Sequence, residues 1–191
     1  MPAPRLTRKQ LAAGMAFAET MVAAQAAALV NAGLEWADVF GFTSIESFWA
    51  DAASRYEDID EGSTRRVFGV PGAPLVLKLP WSLEGRESNI AEVVRWRCAG
   101  RSSRRHMARV YAGDANYVLM ERLVPRPYDL PYKSMWKLEA DPLFRGVRDL
   151  GARGNWGRRA SGEHVLLDYG DVPWKLGFGE AGIAAFGDRC S

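Results

Sequence analysis

Residues 66–79, RVFGVPGAPLVLKL, contain two short runs that are rich in β-branched, aromatic and other apolar residues. Val70-Pro-Gly-Ala73 separates the two runs, and a proline followed by a glycine is typical of a tight turn. The stretch therefore predicts a β-hairpin. Its second strand carries one charged residue, Lys78, among apolar neighbours.

A helix and a second pair of strands are predicted after this hairpin. Apolar residues recur at helical spacing over residues 89–97, which include Glu92. Residues 107–111 and 117–123 have the composition of strands, and a Gly-Asp-Ala-Asn turn joins them. The sequence thus predicts an antiparallel sheet with one helix inserted between its two hairpins.

The remaining C-terminal segments are shorter and richer in glycine and proline. Residues 124–133 contain three prolines and are typical of a connector. A short helix is predicted over residues 134–143, and a last strand over residues 163–168. Helices and hairpins do not alternate regularly along the chain, so we expect an α+β fold and not a doubly wound parallel sheet.

Two helices are predicted before the sheet. The first covers residues 7–33, because Thr7 and Gln10 have the spacing of a capping box and apolar residues follow at intervals of three and four. The predicted buried stripe is Leu11, Met15, Ala18, Val22, Gln25 and Leu29. The second helix begins near Thr43 or Ser44 and ends near Tyr56, and the acidic residues 57–61 after it predict a solvated turn.

Composition and charge exclude several classes of protein. The 191 residues are 48% hydrophobic and 25% charged, which is typical of a globular domain and not of a disordered chain. The net charge of +2 gives no global argument for binding nucleic acid or a membrane. Two cysteines are too few for a disulfide scaffold, and no uncharged stretch reaches the roughly 18 residues of a membrane span. We expect a reduced cytoplasmic protein without a membrane anchor.

Four features that carry chemistry follow one another in the sequence. Lys78 lies in an apolar strand, and Glu92 lies on the following helix. Arg148-Asp149-Leu150 precedes Asn155 in a glycine-rich loop, and Asp168-Tyr-Gly170 follows an apolar strand. This order resembles the protein-kinase-like superfamily, which includes protein kinases and aminoglycoside phosphotransferases. Over residues 64–170 it is most similar to the very small kinase-like proteins encoded by bacteriophages.

The resemblance implies a reduced two-lobed protein-kinase-like fold with an α-helical N-terminal extension. Residues 1–56 would form the extension, residues 57–123 an N-lobe with an antiparallel sheet and one helix, and residues 124–191 a truncated C-lobe. It also implies that the chain binds ATP and Mg²⁺.

The resemblance assigns a role to each site residue. Lys78 would hold the nucleotide phosphates with Glu92 as its partner, and Glu121 and Leu123 would lie where the nucleotide's adenine binds. Asn155 and Asp168 would bind the metal, and Asp149 would be catalytic, orienting the acceptor hydroxyl and taking its proton. General chemistry agrees with these roles, because Mg²⁺ prefers oxygen ligands and phosphoryl transfer depends on positioning and charge neutralisation.

Three features depart from the family pattern. Five residues separate Asp149 from Asn155, where the family has four. Gly62-Ser-Thr-Arg65 is the only candidate for a phosphate-binding loop before the hairpin, and only 21 residues follow Gly170. A conventional protein kinase is therefore not expected. The alternatives are a transferase with a small or protein acceptor, or a catalytically inactive pseudokinase that binds another protein, such as a phage protein acting on host machinery.

Nucleic-acid binding is a further alternative, because arginines crowd two segments of the chain. Trp96 and Trp156 lie among them, which predicts stacking beside phosphate contacts. The arginines are Arg86, Arg95, Arg97, Arg101, Arg104, Arg105 and Arg109 in the first segment, and Arg145, Arg148, Arg153, Arg158 and Arg159 in the second. A protein partner could also bind this arginine-rich face or the N-terminal helix.

Overall fold

The computed structural model describes residues 6–36, 45–125, 131–144 and 147–170. These residues form an α+β structure with a five-stranded and a three-stranded sheet. Two compact units divide the chain: a sheet unit, Leu6–Asn89 with Tyr111–Arg122, and a hairpin unit, which contains Ile90–Val110 and the described residues from Leu123 onward. The boundaries 1–56, 57–123 and 124–191 stay predictions.

Helix α1, Arg8–Asn31, begins and ends as the sequence predicts. The Thr7 hydroxyl accepts a hydrogen bond from the Gln10 backbone, and the Gln10 side chain accepts one from Thr7, so the capping box is confirmed. Gly33 follows the C-cap with φ +67°, a conformation in which glycine has no steric penalty.

The buried stripe of α1 differs in part from the predicted one. Met15 is 38% exposed, and a Cβ at Gly14 would lie 2.8 Å from Leu75 Cδ1, so the helix approaches the sheet through its glycine and not through Met15. The Gln25 amide donates to the Pro80 carbonyl at 2.6 Å, which satisfies this polar side chain inside the interface. The buried residues are Gly14, Ala18, Met21, Gln25 and Leu29.

Helix α2, Glu46–Arg55, packs its aromatic residue Trp49 into the core of the sheet unit. Trp49 is fully buried, stacks on Phe68 and meets Trp81 edge to face. Ile45 is the N-cap and makes no side-chain capping bond. The predicted caps Thr43 and Ser44 lie outside the described residues.

The five-stranded sheet confirms the predicted hairpin and adds a strand at its edge. The acidic segment after α2 is a strand and not a turn, because Asp58 forms an ion pair with Arg66 on the neighbouring strand. The strands are β1 Asp58–Glu61, β2 Arg65–Gly69, β3 Leu75–Pro80, β4 Val110–Gly113 and β5 Val118–Glu121. Their order in the sheet is β1-β2-β3-β5-β4.

The two faces of β3 have different neighbours. Leu75, Leu77 and Leu79 point to one face and join the apolar cluster that includes residues of α1 and α2. Alternation places Lys78 on the opposite face. Helix α3 covers Leu83–Cys98, and its first turns belong to the sheet unit. There the Asn89 side chain accepts a hydrogen bond from Arg65 at 3.3 Å and donates one to the Ala115 carbonyl at 3.1 Å.

The hairpin unit consists of short elements. The predicted strand over 107–111 is confirmed in part: β4 begins only at Val110 and neighbours β5 in the five-stranded sheet, whereas Met107 makes a single parallel bridge with Leu166. An unpredicted strand, Trp156–Arg158, pairs with both other strands of the three-stranded sheet. The elements are α4 Arg101–Arg104, β6 Val124–Pro125, α5 Tyr132–Glu139, β7 Trp156–Arg158 and β8 His164–Leu166, with 3₁₀ turns at Pro142–Phe144, Arg148–Gly151 and Arg153–Asn155.

Two further observations bear on the cellular environment. Within the described part of the chain, α1 is the one helix whose length and composition would let it cross a membrane, and its buried stripe packs in the sheet unit. Cys98 at the end of α3 is disulfide-bonded, so the expectation of reduced cysteines is wrong for this residue. Cys190 lies outside the described residues. The cytoplasmic location stays a prediction.

Candidate functional site

Lys78 lies in the central strand of the sheet unit. It pairs in register with Val67 on β2 and with Val118 on β5, and only 6% of it is exposed. Burying an ammonium group costs free energy unless polar or charged groups surround it. Burial at this position indicates that the Lys78 ammonium interacts with polar or charged groups inside the protein. It is not consistent with a lysine that extends from a sheet edge into water.

Glu92, on the second half of α3 in the hairpin unit, binds the segment that follows β8. Its side chain is fully buried, and Oε1 accepts a hydrogen bond from the Tyr169 backbone N–H at 3.2 Å. One turn further along the helix, the Arg95 guanidinium donates to the Tyr169 carbonyl. Two oppositely charged side chains of one helix thus bind both polar groups of a single backbone residue.

Tyr169 is also fixed through its side chain. The ring is fully buried, and its hydroxyl donates to the Ala108 carbonyl at 2.7 Å. The two residues next to Tyr169 are also joined, because the Gly170 N–H donates to Asp168 Oδ1 at 3.2 Å. The Asp168-Tyr-Gly170 segment therefore has a defined backbone, which orients the Asp168 carboxylate.

The β7–β8 hairpin brings Asn155 and Asp168 to the same end of one supersecondary element. Trp156 pairs with Leu166, and the Leu167 N–H donates to the Asn155 carbonyl at 2.6 Å. Asn155 directly precedes β7, and Asp168 follows β8 after one intervening residue. An amide oxygen and a carboxylate are donors that suit Mg²⁺ when phosphate oxygens and water complete its coordination.

The described residues contain no cluster of three or more His, Cys, Asp or Glu side chains that could hold a metal ion alone. A metal bound by Asn155 and Asp168 would therefore depend on oxygen atoms of its ligand. That dependence is usual for Mg²⁺, which is commonly bound through one or two carboxylates together with substrate phosphates.

The loop before Asn155 is built from two 3₁₀ turns. The first, Arg148–Gly151, contains the backbone of Asp149, and the second is Arg153–Asn155. The buried Trp156 indole donates to the Leu150 carbonyl at 2.8 Å and ties the first turn to β7. The loop from Arg148 to Asn155 is thus compact backbone structure.

Glu121 and Leu123 lie at the end of β5 and just after it. Glu121 is half-buried and pairs in register with Leu75. Between them, Arg122 pairs with Glu57, and this hydrogen-bonded ion pair lowers the pKa of the Glu57 carboxyl below its ordinary value. The assignment of Glu121 and Leu123 to nucleotide contacts stays a prediction.

The candidate phosphate loop, Gly62-Ser-Thr-Arg65, is the turn between β1 and β2, closed by a hydrogen bond from the Gly62 N–H to the Arg65 carbonyl at 3.0 Å. Glu61, the last residue of β1, precedes this turn and lies 3.6 Å from the Arg66 guanidinium. The Glu61 carboxylate beside the turn is therefore partly neutralised by an arginine of β2.

The sequence did not indicate an open cavity of about 600 Å³ in the hairpin unit. Both histidines of the chain, His106 and His164, contribute to its lining together with exposed aromatic residues of α5. The signal that could have located the cavity is the Tyr132–Trp136 pair, which is spaced by one helical turn.

Because Trp156 is buried in the core, the predicted stacking role for this residue is wrong.

Comparison with known proteins gives no family assignment. No protein-family model matches the sequence, and no curated protein is significantly similar to it.

Proposed function

We propose that the chain is a reduced kinase-like protein that binds ATP together with Mg²⁺. The observation that supports this most strongly is the attachment of the Asp168-Tyr-Gly170 segment to α3, in which Glu92 and Arg95 bind the two backbone groups of Tyr169. A carboxylate held in place in this way is preorganised for a metal ion, and preorganisation is the main contribution of a protein to phosphoryl transfer.

In this proposal each site residue has a separate task. The Lys78 ammonium binds phosphate oxygens of the nucleotide, and the burial of Lys78 strengthens that interaction because water screens it less. Asn155 and Asp168 provide oxygen ligands for the metal. Glu121 and Leu123 contribute to the nucleotide's adenine region, and the bound ion neutralises charge on the phosphates.

Transfer would use Asp149. Its carboxylate would orient an acceptor hydroxyl and take its proton while the hydroxyl oxygen bonds to the terminal phosphorus of ATP and ADP leaves. The acceptor is a small molecule or a protein. The five-residue interval to Asn155 sets the position of Asp149, and a misplacement of about 1 Å can cost roughly 100-fold in rate.

A second candidate is a pseudokinase that binds nucleotide without transferring phosphate and acts through a protein partner. The two 3₁₀ turns between Arg148 and Asn155 favour it, because they take up an extra residue at the point where transfer requires a fixed geometry. Under this alternative the chain still binds ATP but does not transfer its terminal phosphate to an acceptor. With ATP that carries a labelled terminal phosphate, the label would be released only by slow hydrolysis.

Thermal unfolding with ATP and Mg²⁺ tests the binding proposal. A ligand at 100 times its Kd stabilises a protein by about 2.7 kcal/mol, so the wild-type melting temperature should rise. Asp168→Ala should lose the shift, whereas Asp51→Ala, at an exposed aspartate on α2, should retain it. The absence of a shift at millimolar nucleotide would contradict the proposal.

A further inference from the structure

The cavity of the hairpin unit has the chemistry of a site for bases and phosphates. Trp136 is 63% exposed and Tyr132 is 56% exposed, although large aromatic side chains are usually covered. Their ring centroids lie 6.5 Å apart and the ring planes are tilted by 47°. Both residues line the cavity, so it presents two neighbouring aromatic rings to solvent.

Positive charge surrounds these rings. Lys133 lines the cavity, and Lys137 follows on the same helix. The pKa of His106 lies below its ordinary value, first because of partial burial and then because of Lys137, Arg105 and Arg159. Three cations therefore act on one imidazole in the cavity wall, and they would favour an anion there.

One acidic group opposes this positive field. Glu163 lines the cavity and acts to raise the pKa of His106. Its carboxylate accepts from the Ser161 hydroxyl at 3.1 Å and lies 3.9 Å from the Arg159 guanidinium, so it is partly neutralised. Lys133 is the other charged side chain among the residues that line the cavity, and Lys137 and Arg105 lie close enough to act on His106.

We propose that this cavity binds single-stranded nucleic acid, with bases stacked on Trp136 and Tyr132 and phosphates bound by Lys133, Lys137 and Arg105. Exposed aromatic rings beside a cationic groove are the recurring features of such sites, because every base has a face that can stack. The volume of about 600 Å³ is in the range of ligand pockets, and the open shape admits a continuous strand. This site is separate from the proposed ATP-binding residues.

Fluorescence anisotropy of a short labelled oligothymidylate measures the proposed binding. The wild-type chain should bind at low salt, and its affinity should fall as salt rises. Trp136→Ala should raise the Kd about tenfold, and Trp136→Phe should raise it less because a stacking face remains. Lys133→Ala should weaken binding and make the salt slope shallower by about 0.7.

A matched control separates this site from general charge attraction. Lys9→Ala removes an exposed lysine from α1 in the sheet unit and should leave the Kd unchanged. The proposal is overturned if the oligonucleotide does not bind at low salt, or if Trp136→Ala and Lys133→Ala both bind as the wild type does.

Proton NMR of the imidazole groups provides an independent measurement. The chain has two histidines and both line the cavity, so every histidine signal of the protein reports on this site. Bound phosphate should raise the pKa of His106 toward or above its ordinary value. AMP serves as a competitor: equal shifts from AMP and the oligonucleotide at the same nucleotide concentration would indicate a mononucleotide site and contradict the proposal.

Discussion

The sheet unit and the hairpin unit are stabilised in different ways. In the sheet unit, one apolar cluster joins α1 and α2 to β2 and β3, with Trp49 at its centre. In the hairpin unit the strands have two or three residues, and side chains bind backbone groups far away in the sequence, as Arg95 and Glu92 bind Tyr169. Apolar packing therefore holds α1 and α2 in the sheet unit, whereas hydrogen bonds from buried charged side chains hold the segment after β8 to α3 in the hairpin unit.

The complete burial of Trp49 predicts that truncating this side chain has a large effect on stability. Trp49→Ala should lower the free energy of unfolding by about 3–5 kcal/mol, because it leaves a cavity among fully buried neighbours. Urea unfolding measures this change. Trp136→Ala, which truncates an exposed ring in the hairpin unit, is the control and should change stability by less than about 0.5 kcal/mol.

Trp49→Phe refines the same test. Within the described part of the chain, the indole N–H of Trp49 is the one buried side-chain polar atom without a hydrogen-bond partner. Phenylalanine keeps an aromatic ring and removes that unsatisfied donor, so it should cost much less than alanine. An equal loss for both substitutions would show that ring packing is not what stabilises the sheet unit.

The sequence predicts the sheet unit better than the hairpin unit for the same physical reason. Apolar spacing and turn residues are local signals, and they locate α1, the β2–β3 hairpin and the capping box at Thr7. The sequence does not predict β1, because its acidic residues lack an apolar pattern, although the ion pair between Asp58 and Arg66 supports that strand.

The attachment of Tyr169 to α3 could not be predicted from the residues alone. Glu92 is 77 positions from its hydrogen-bond partner, and Arg95 is 74 positions from the same residue. No local pattern encodes such a pairing, and the family resemblance pairs Glu92 with Lys78. The cavity beside Tyr132 and Trp136 could not be predicted either, because its lining combines α5 with residues that are distant in the sequence, such as His106 and His164.

Removing the Glu92 carboxylate should have the next largest effect. Glu92→Ala leaves the buried Tyr169 N–H without this acceptor and should destabilise the chain by about 1–3 kcal/mol in urea unfolding. Glu92→Gln keeps an acceptor oxygen and is the matched control. If both variants lose the same stability, the bond to Tyr169 is not what stabilises this part of the hairpin unit.

Tyr169→Phe should have a smaller effect, because it deletes one hydroxyl and keeps the ring. The lost bond to the Ala108 carbonyl should cost about 1 kcal/mol. Amide hydrogen exchange should also accelerate at the Tyr169 N–H, while β3 amides of the sheet unit exchange as in the wild type. Unchanged exchange at Tyr169 would contradict the role given to its hydroxyl.

The smallest predicted effect concerns Glu87 on α3. Burial, and then the negative charge of Glu84, raise the pKa of Glu87 above 4.5 in the folded chain. The folded state therefore holds this proton more tightly than the unfolded state, and stability falls as pH rises through the raised pKa. Glu87→Gln should stabilise the chain at pH 7 by about 0.5 kcal/mol or less, since solvent screens a partly exposed group.

The pH dependence of Glu87→Gln provides its own control. Well below the ordinary carboxyl pKa of 4.5 the group is protonated in both states, so the advantage of glutamine should disappear there. Urea midpoints measured at acidic and neutral pH give this difference. An advantage that stays constant across this range would show that charge is not its cause.

Titration calorimetry of ATP with Mg²⁺, and with EDTA in its place, tests the central proposal most directly. The wild type should bind ATP only when Mg²⁺ is present. Lys78→Met and Asp168→Asn should each raise the Kd by about tenfold or more, a loss of about 1.4 kcal/mol, whereas Trp136→Ala should bind as the wild type does. Absence of binding at millimolar ATP, or equal affinity in the wild type and both site variants, would contradict the kinase-like account.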